Sequence, residues 1–207
     1  MTEPSLPVLV DIEPPTESGG AVVASSGITW CVLAWGISGG QPPSVTIVVE
    51  DALRSVVNSE PTAPSDFLAR MEAGLSDQSL VCAAAAAIDA KQVRVASVGD
   101  VRVHLFHAGQ PTRTSREHTL GTERSDITDH VAGTSFEWLT RITTRALGGP
   151  HNEPWLDTWP LSSGSDSVLV LCTPRLHEFR DVAAYAADAC SFEMGNPGRV
   201  RVQIPWV

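Results

Sequence analysis

The stretch Ala96-Ser97-Val98-Gly99-Asp100-Val101-Arg102-Val103-His104-Leu105-Phe106 decides how this chain is read. Val93, Val95 and Ser97 follow one another at a spacing of two, and Arg102 to Phe106 alternates again. Successive side chains of a strand point to opposite faces, so each run predicts a strand. Gly99-Asp100 stands between the runs, where Asp100 can cap a turn. After the second run, Ala108-Gly109 predicts a hairpin turn. Before the first lies Val81 to Asp89, a continuous apolar run holding five alanines. Periodicity alone leaves it open between a buried strand and a helix, and the alternation beyond Asp89-Ala90-Lys91 favours a strand pair turning there.

Further out, the signals are shorter. Val8-Leu9-Val10 predicts a strand and Pro14 to Gly20 a loop. Ala21 to Ser25 and Thr29 to Trp35 predict strands around a Ser-Ser-Gly turn, and Gly36 to Pro43 a loop. Ser44 to Val57 has helical spacing with a β-branched start. Pro64-Ser65-Asp66 predicts a helix start, capped by Ser65 or Asp66, with Phe67, Leu68, Met71 and Leu75 on one face. Ser135 to Leu147 predicts a helix stopped by Gly148-Gly149-Pro150. Ser167 to Cys172 predicts an apolar strand, Asp181 to Ala189 a helix, and Arg199 to Ile204 a last strand. Antiparallel strands with helices grouped between them give an α+β class. The organisation expected is a flexible tail over residues 1–7 and one domain over 8–207.

The 207 residues are 43% apolar and 18% charged, as in a soluble folded domain rather than a disordered chain. The formal charge is −10, and Lys91 is the only lysine. Nucleic acid and anionic membrane both require clustered cations, so neither is expected as a partner. Cys31, Cys82, Cys172 and Cys190 are far apart, with no zinc spacing; three lie in apolar runs, which suggests buried thiols in a reducing compartment. The start of the sequence pairs no basic segment with an apolar one, and the longest apolar run is too short to span a bilayer. The expected location is cytoplasmic.

Several segments occur together in a meaningful order. They are Val32 to Gly40 (VLAWGISGG), Leu80 to Ala84 (LVCAA) and Ala96 to Arg102 (ASVGDVR). Thr114 to Leu120 (TSREHTL), Ile142 to Gly148 (ITTRALG), Val168 to Leu176 (VLVLCTPRL) and Asn196 to Val202 (NPGRVRV) follow. In this order they resemble the segments VADGMGGH, GTTLVAA, ANVGDSR, LTRDHSL, VLTRALG, LLLCSDGL and PDNATVVV of the PPM (PP2C-like) metal-dependent Ser/Thr phosphatases. The resemblance covers roughly residues 20–207. It implies an antiparallel β-sandwich flanked by helices. It also implies two metal ions held by aspartates, which activate a bridging water against phosphate.

The departures fall on that chemistry. Trp35 stands at the Asp of the ADG motif. Pro174 and Arg175 replace the Asp-Gly of SDG, and Gly198-Arg199 replaces the Asp-Asn pair of the last motif. The family's early Arg and Asn-Glu-Asp segment has no clear match. Asp100 and Arg102 are kept; the Asp of VGD assists an accessory metal in the family, and alone it cannot hold a binuclear site. The ligand-binding residues expected around the vacated cleft are Trp35, Ser38, Asp100, Arg175 and Arg199, with no metal and no cofactor. A guanidinium can stand in for a metal's charge and an indole can stack on a ligand, or these residues simply fill a dead site.

Other motifs carry less. Gly36-Ile37-Ser38-Gly39-Gly40 matches G-x-S-x-G, yet the chain lacks the parallel β/α alternation of a nucleophile elbow. His104, His107 and His118 are read as strand or turn histidines, not as a zinc site. Trp155-Leu156-Asp157-Thr158-Trp159 is open to two readings, core packing or an exposed aromatic patch. The leading function is therefore a catalytically inactive PP2C-like pseudophosphatase that binds a protein, such as a kinase, a phosphoprotein or a phosphatase. The alternatives are metal-independent chemistry on a small molecule in the vacated cleft, and a weak residual protein phosphatase.

Overall fold

The alanine run is a strand, because it is covered on both faces. Ala83, Ala85 and Ala87 pack in the layer that holds Phe67, Leu68 and Met71, while Ala84 and Ala86 pack with Val103, Leu105, Leu169 and Leu171. A strand buried on both sides reads as one continuous apolar run, which is why its period was hidden. Small side chains on this central strand also let the layers above and below approach closely.

The computed structural model describes residues 18–25, 27–38, 47–49, 51–52, 54, 63–75, 79–161, 167–173 and 199–204. The Val8–Val10 strand, the helix over Asp181 to Ala189, Cys190 and the tail over 1–7 fall outside them. The strands are β1 (Ser18–Ser25), β2 (Ile28–Ser38), β3 (Leu80–Ile88), β4 (Gln92–Val98), β5 (Arg102–His107), β6 (Gln110–Thr114), β7 (Trp155–Pro160), β8 (Ser167–Cys172) and β9 (Arg199–Ile204). Every pairing is antiparallel. One sheet has the order β1-β2-β3-β4-β7 and the other β6-β5-β8-β9. The α+β sandwich expected from the sequence is the architecture observed.

Two apolar layers hold it. Cys31, Leu33, Val93, Val95 and Trp159 of the first sheet meet Val103, Leu105, Leu169, Leu171, Val202 and Ile204 of the second. The outer face of the first sheet, with Trp30, Val32 and Ala34, is covered by α1 (Pro64–Ala73) and by the described helical residues between 47 and 54. Each fully buried Leu or Phe in these layers contributes about 1.5–3 kcal/mol. Asp66 stabilises the start of α1: its carboxylate accepts the Ala63 N–H at 3.0 Å, so Ala63 is the capping position, rather than Ser65 or Asp66. Pro64 then sits at the first helical residue, where its missing N–H costs nothing.

Some expected boundaries move. Ser18 to Gly20 belong to β1 instead of the preceding loop, and β2 runs through Gly36 to Ser38 with a bulge. Trp155 to Pro160 is a strand that the sequence did not announce, because its Trp-x-x-x-Trp spacing spreads the inward positions. Trp159 is buried and its ring meets that of Trp155, so core packing is the correct reading of this pair.

The largest correction is Ser135 to Leu147. It is not one helix: only Glu137–Arg141 is helical, as a 3-10 turn, and Thr143 and Leu147 form bridges to Thr119 and Val81. Ile142, Thr143 and Thr144 are β-branched in succession, which favours extended backbone once partners are at hand. Two short helices precede it, α2 (Leu120–Glu123) and α3 (Ser125–Val131). Together these elements make an excursion from the sandwich over residues 119–143, hereafter the flap. No helix among the described residues is long and apolar enough to cross a membrane.

Candidate functional site

Strand register gathers the candidate residues at one end of the sandwich. Trp35, near the end of β2, is the cross-strand partner of Cys82 on β3, and Ser38 closes the same strand opposite Leu80. Ala83 pairs with Val98, so the β4–β5 turn carrying Gly99 and Asp100 emerges at this end too. Arg102 pairs with Cys172, and Cys172 with Arg199, so β9 starts there as well. The backbone positions of Trp35, Ser38, Asp100 and Arg199 therefore share one rim of the sandwich. Arg175 lies outside the described residues, and the side chains of Ser38 and Arg199 are not described.

Trp35 is partly buried, packed at the margin of the inter-sheet core, and is not enclosed by it. Asp100 is buried. Its Oδ2 accepts the Thr143 hydroxyl at 3.1 Å, and the Cys82 thiol lies against the same carboxyl. Oδ1 is buried with no hydrogen-bond partner. Burial raises the Asp100 pKa against the lowering effect of Cys82 and Thr143. Burial likewise pushes the Cys82 thiol well up, and Asp100's charge adds to it, so Cys82 is no thiolate nucleophile.

Gly99 is fitted to this corner. It has φ +85°, and a Cβ there would collide with Cys82 Sγ. Its N–H donates to His118 Nδ1 at 3.2 Å, and its carbonyl accepts the His118 N–H at 2.7 Å. His118 is thus a structural histidine, as read from the sequence; burial and then Arg145 hold its pKa down. Arg102 is ion-paired, its Nε donating to Glu117 at 2.8 Å. His104 and His107 bond Thr114 and Ser167, and no group of three or more His, Cys, Asp or Glu forms among the described residues. Thr143 and Cys82 are the members of the site that sequence reasoning missed. The β-branched Ile142-Thr143-Thr144 run was the signal that Thr143 lies on extended chain.

No protein-family model matches the chain, and no curated protein matches its sequence. Solved structures do match. The S. agalactiae serine/threonine phosphatase aligns with TM-score 0.66 at 18% identity, over 97% of this chain and 98% of that one. A Stage II Sporulation E family protein from Thermanaerovibrio acidaminovorans aligns with TM-score 0.63 at 18% identity, over 90% of this chain and 100% of that one. The catalytic domain of the serine/threonine phosphatase PstP, solved with two manganese ions, aligns with TM-score 0.59 at 17% identity, over 97% of each chain. The chain has the PPM-phosphatase fold.

The PPM fold brings with it the question of two divalent cations, and the described residues do not fit them. Hard cations take several oxygen donors with offsetting negative charge. Trp35 offers none. Asp100 is engaged by Thr143, and its one orphan oxygen is a single donor.

Proposed function

We propose that this PPM-fold chain acts by binding a protein partner and is not a working phosphatase. The observation that carries the reading is Trp35. An indole stands on the strand end where the resembled family carries its first aspartate, partly open and opposite Cys82, whose thiol lies against Asp100. The three remaining departures, Pro174, Arg175 and Gly198-Arg199, support the same reading from sequence. Support for a partner comes from the flap: Phe136 and Trp138 are each 59% exposed and Ile142 42%. Exposed aromatics grouped on one excursion are the composition of a protein-contact surface. The partner class is a kinase, a phosphoprotein or a phosphatase, and the setting is cytoplasmic.

A second reading rests on Asp100 Oδ1. A buried acceptor with no partner, at the same end of the sandwich as a partly open indole, suits a small molecule that carries a hydrogen-bond donor and a flat face. In that case the cleft performs metal-independent chemistry.

The test is turnover of an aryl phosphate and a phosphopeptide with millimolar Mn²⁺, alongside calorimetry with Mn²⁺ alone. Background turnover and no specific heat are expected. Mn²⁺-dependent turnover that disappears in Asp100→Ala would establish residual phosphatase activity and overturn the proposal.

A further inference from the structure

The resembled family turns the Asp of its VGD motif toward metal; here the same residue is bonded to the base of the flap. The Gly99-Asp100 turn touches both ends of that excursion. At its start, Gly99 exchanges two hydrogen bonds with His118. At its return, Asp100 Oδ2 accepts from Thr143. The two ends also bond each other: Leu120 N–H donates to the Ile142 carbonyl at 2.8 Å and Thr144 N–H to the His118 carbonyl at 2.9 Å. Within the flap, α2 packs on the 3-10 turn so closely that a Cβ on Gly121 would meet Thr140 Cβ at 2.8 Å. The flap is therefore packed within itself and tied to the sandwich at this base, where Arg145 also pairs with Glu123 at 2.8 Å and Arg116 donates to the Thr122 carbonyl at 2.8 Å.

The geometry points to a clamp: Asp100, acting through Thr143 as a positioning residue, fixes the flap and its exposed Phe136, Trp138 and Ile142 against the cleft end of the sandwich. The cleft and the aromatic surface are thereby coupled. This goes beyond the binding function proposed above. It holds whether or not the cleft turns over phosphate, so the two can fail separately.

The experiment is hydrogen exchange on the full chain, following the Leu120 and Thr144 amides against Ala85 and Val95 in the β3–β4 core. Thr143→Val removes the donor with little change of shape. It should speed exchange at the flap base roughly five- to tenfold, the effect of one lost hydrogen bond, with the core amides unchanged. Thr143→Ser keeps the hydroxyl and should restore protection. Asp100→Ala should give the same local rise, and the double variant no more than the larger single one. Unchanged exchange in Thr143→Val overturns the clamp. So does an equal rise at the core amides, or a double variant whose effect is the product of the two.

Discussion

Gly99 and Trp35 show opposite relations between a residue and its surroundings. Gly99 has no substitute: its φ of +85° disfavours any L side chain, and the space a Cβ would need is taken by Cys82 Sγ. Gly99→Ala should cost at least about 2 kcal/mol, combining strain with overpacking. Urea titration would measure it, and a loss below about 0.5 kcal/mol would mean that the turn has room to relax. Trp35 is a large side chain only partly covered. Trp35→Ala should cost roughly 1–2 kcal/mol, below the ~3–5 kcal/mol of an enclosed tryptophan. A loss of the larger size would show that the indole plugs the cleft and has no face left for a ligand.

At the scale of elements, the β5–β6 hairpin carries a pH dependence of its own. His104 on β5 bonds Thr114 on β6 at 3.1 Å, beside Phe106. Burial, and then the charge of Arg102, lowers its pKa from 6.5 to about 4. The unfolded chain takes up a proton below 6.5 that the folded chain refuses until about 4. Stability from this group is therefore complete above 6.5 and falls as the pH drops through that window. The loss is on the order of 3 kcal/mol. Comparing urea unfolding at pH 7 and 4.5, His104→Gln should lose markedly less stability than the wild type. An equal loss in both proteins would place the acid sensitivity elsewhere. The turn that closes this hairpin was legible from Gly109, and in the structure Ala108 and Gly109 both take positive φ, the geometry a two-residue hairpin demands.

For the whole molecule, the described apolar surface is uneven. Phe136, Trp138 and Ile142 lie within seven residues of sequence, on a flap whose described side chains join neither main apolar layer. Trp138→Ser should leave the unfolding free energy within about 0.5 kcal/mol of wild type, as expected of a surface position. A loss above about 1 kcal/mol would show that the indole packs on the body and is not presented to a partner.

What the sequence determined by itself is local. Strand periods, the Ala108-Gly109 turn and the Pro64 helix start rest on neighbours two to four residues apart, so the antiparallel α+β class was readable from the chain. Its resemblance to the PPM segments also set Trp35, Pro174 and Gly198 where those segments carry aspartate. The tertiary structure decided the rest, because the deciding partners lie far off in sequence. The alanine run became a strand through the layers above and below it. Ile142 to Thr144 left the helical pattern because His118 and Leu120 offered backbone partners. Asp100 was legible as a retained acid or a turn cap; only the fold, by setting Thr143 and Cys82 against its carboxyl, made it the base of the flap.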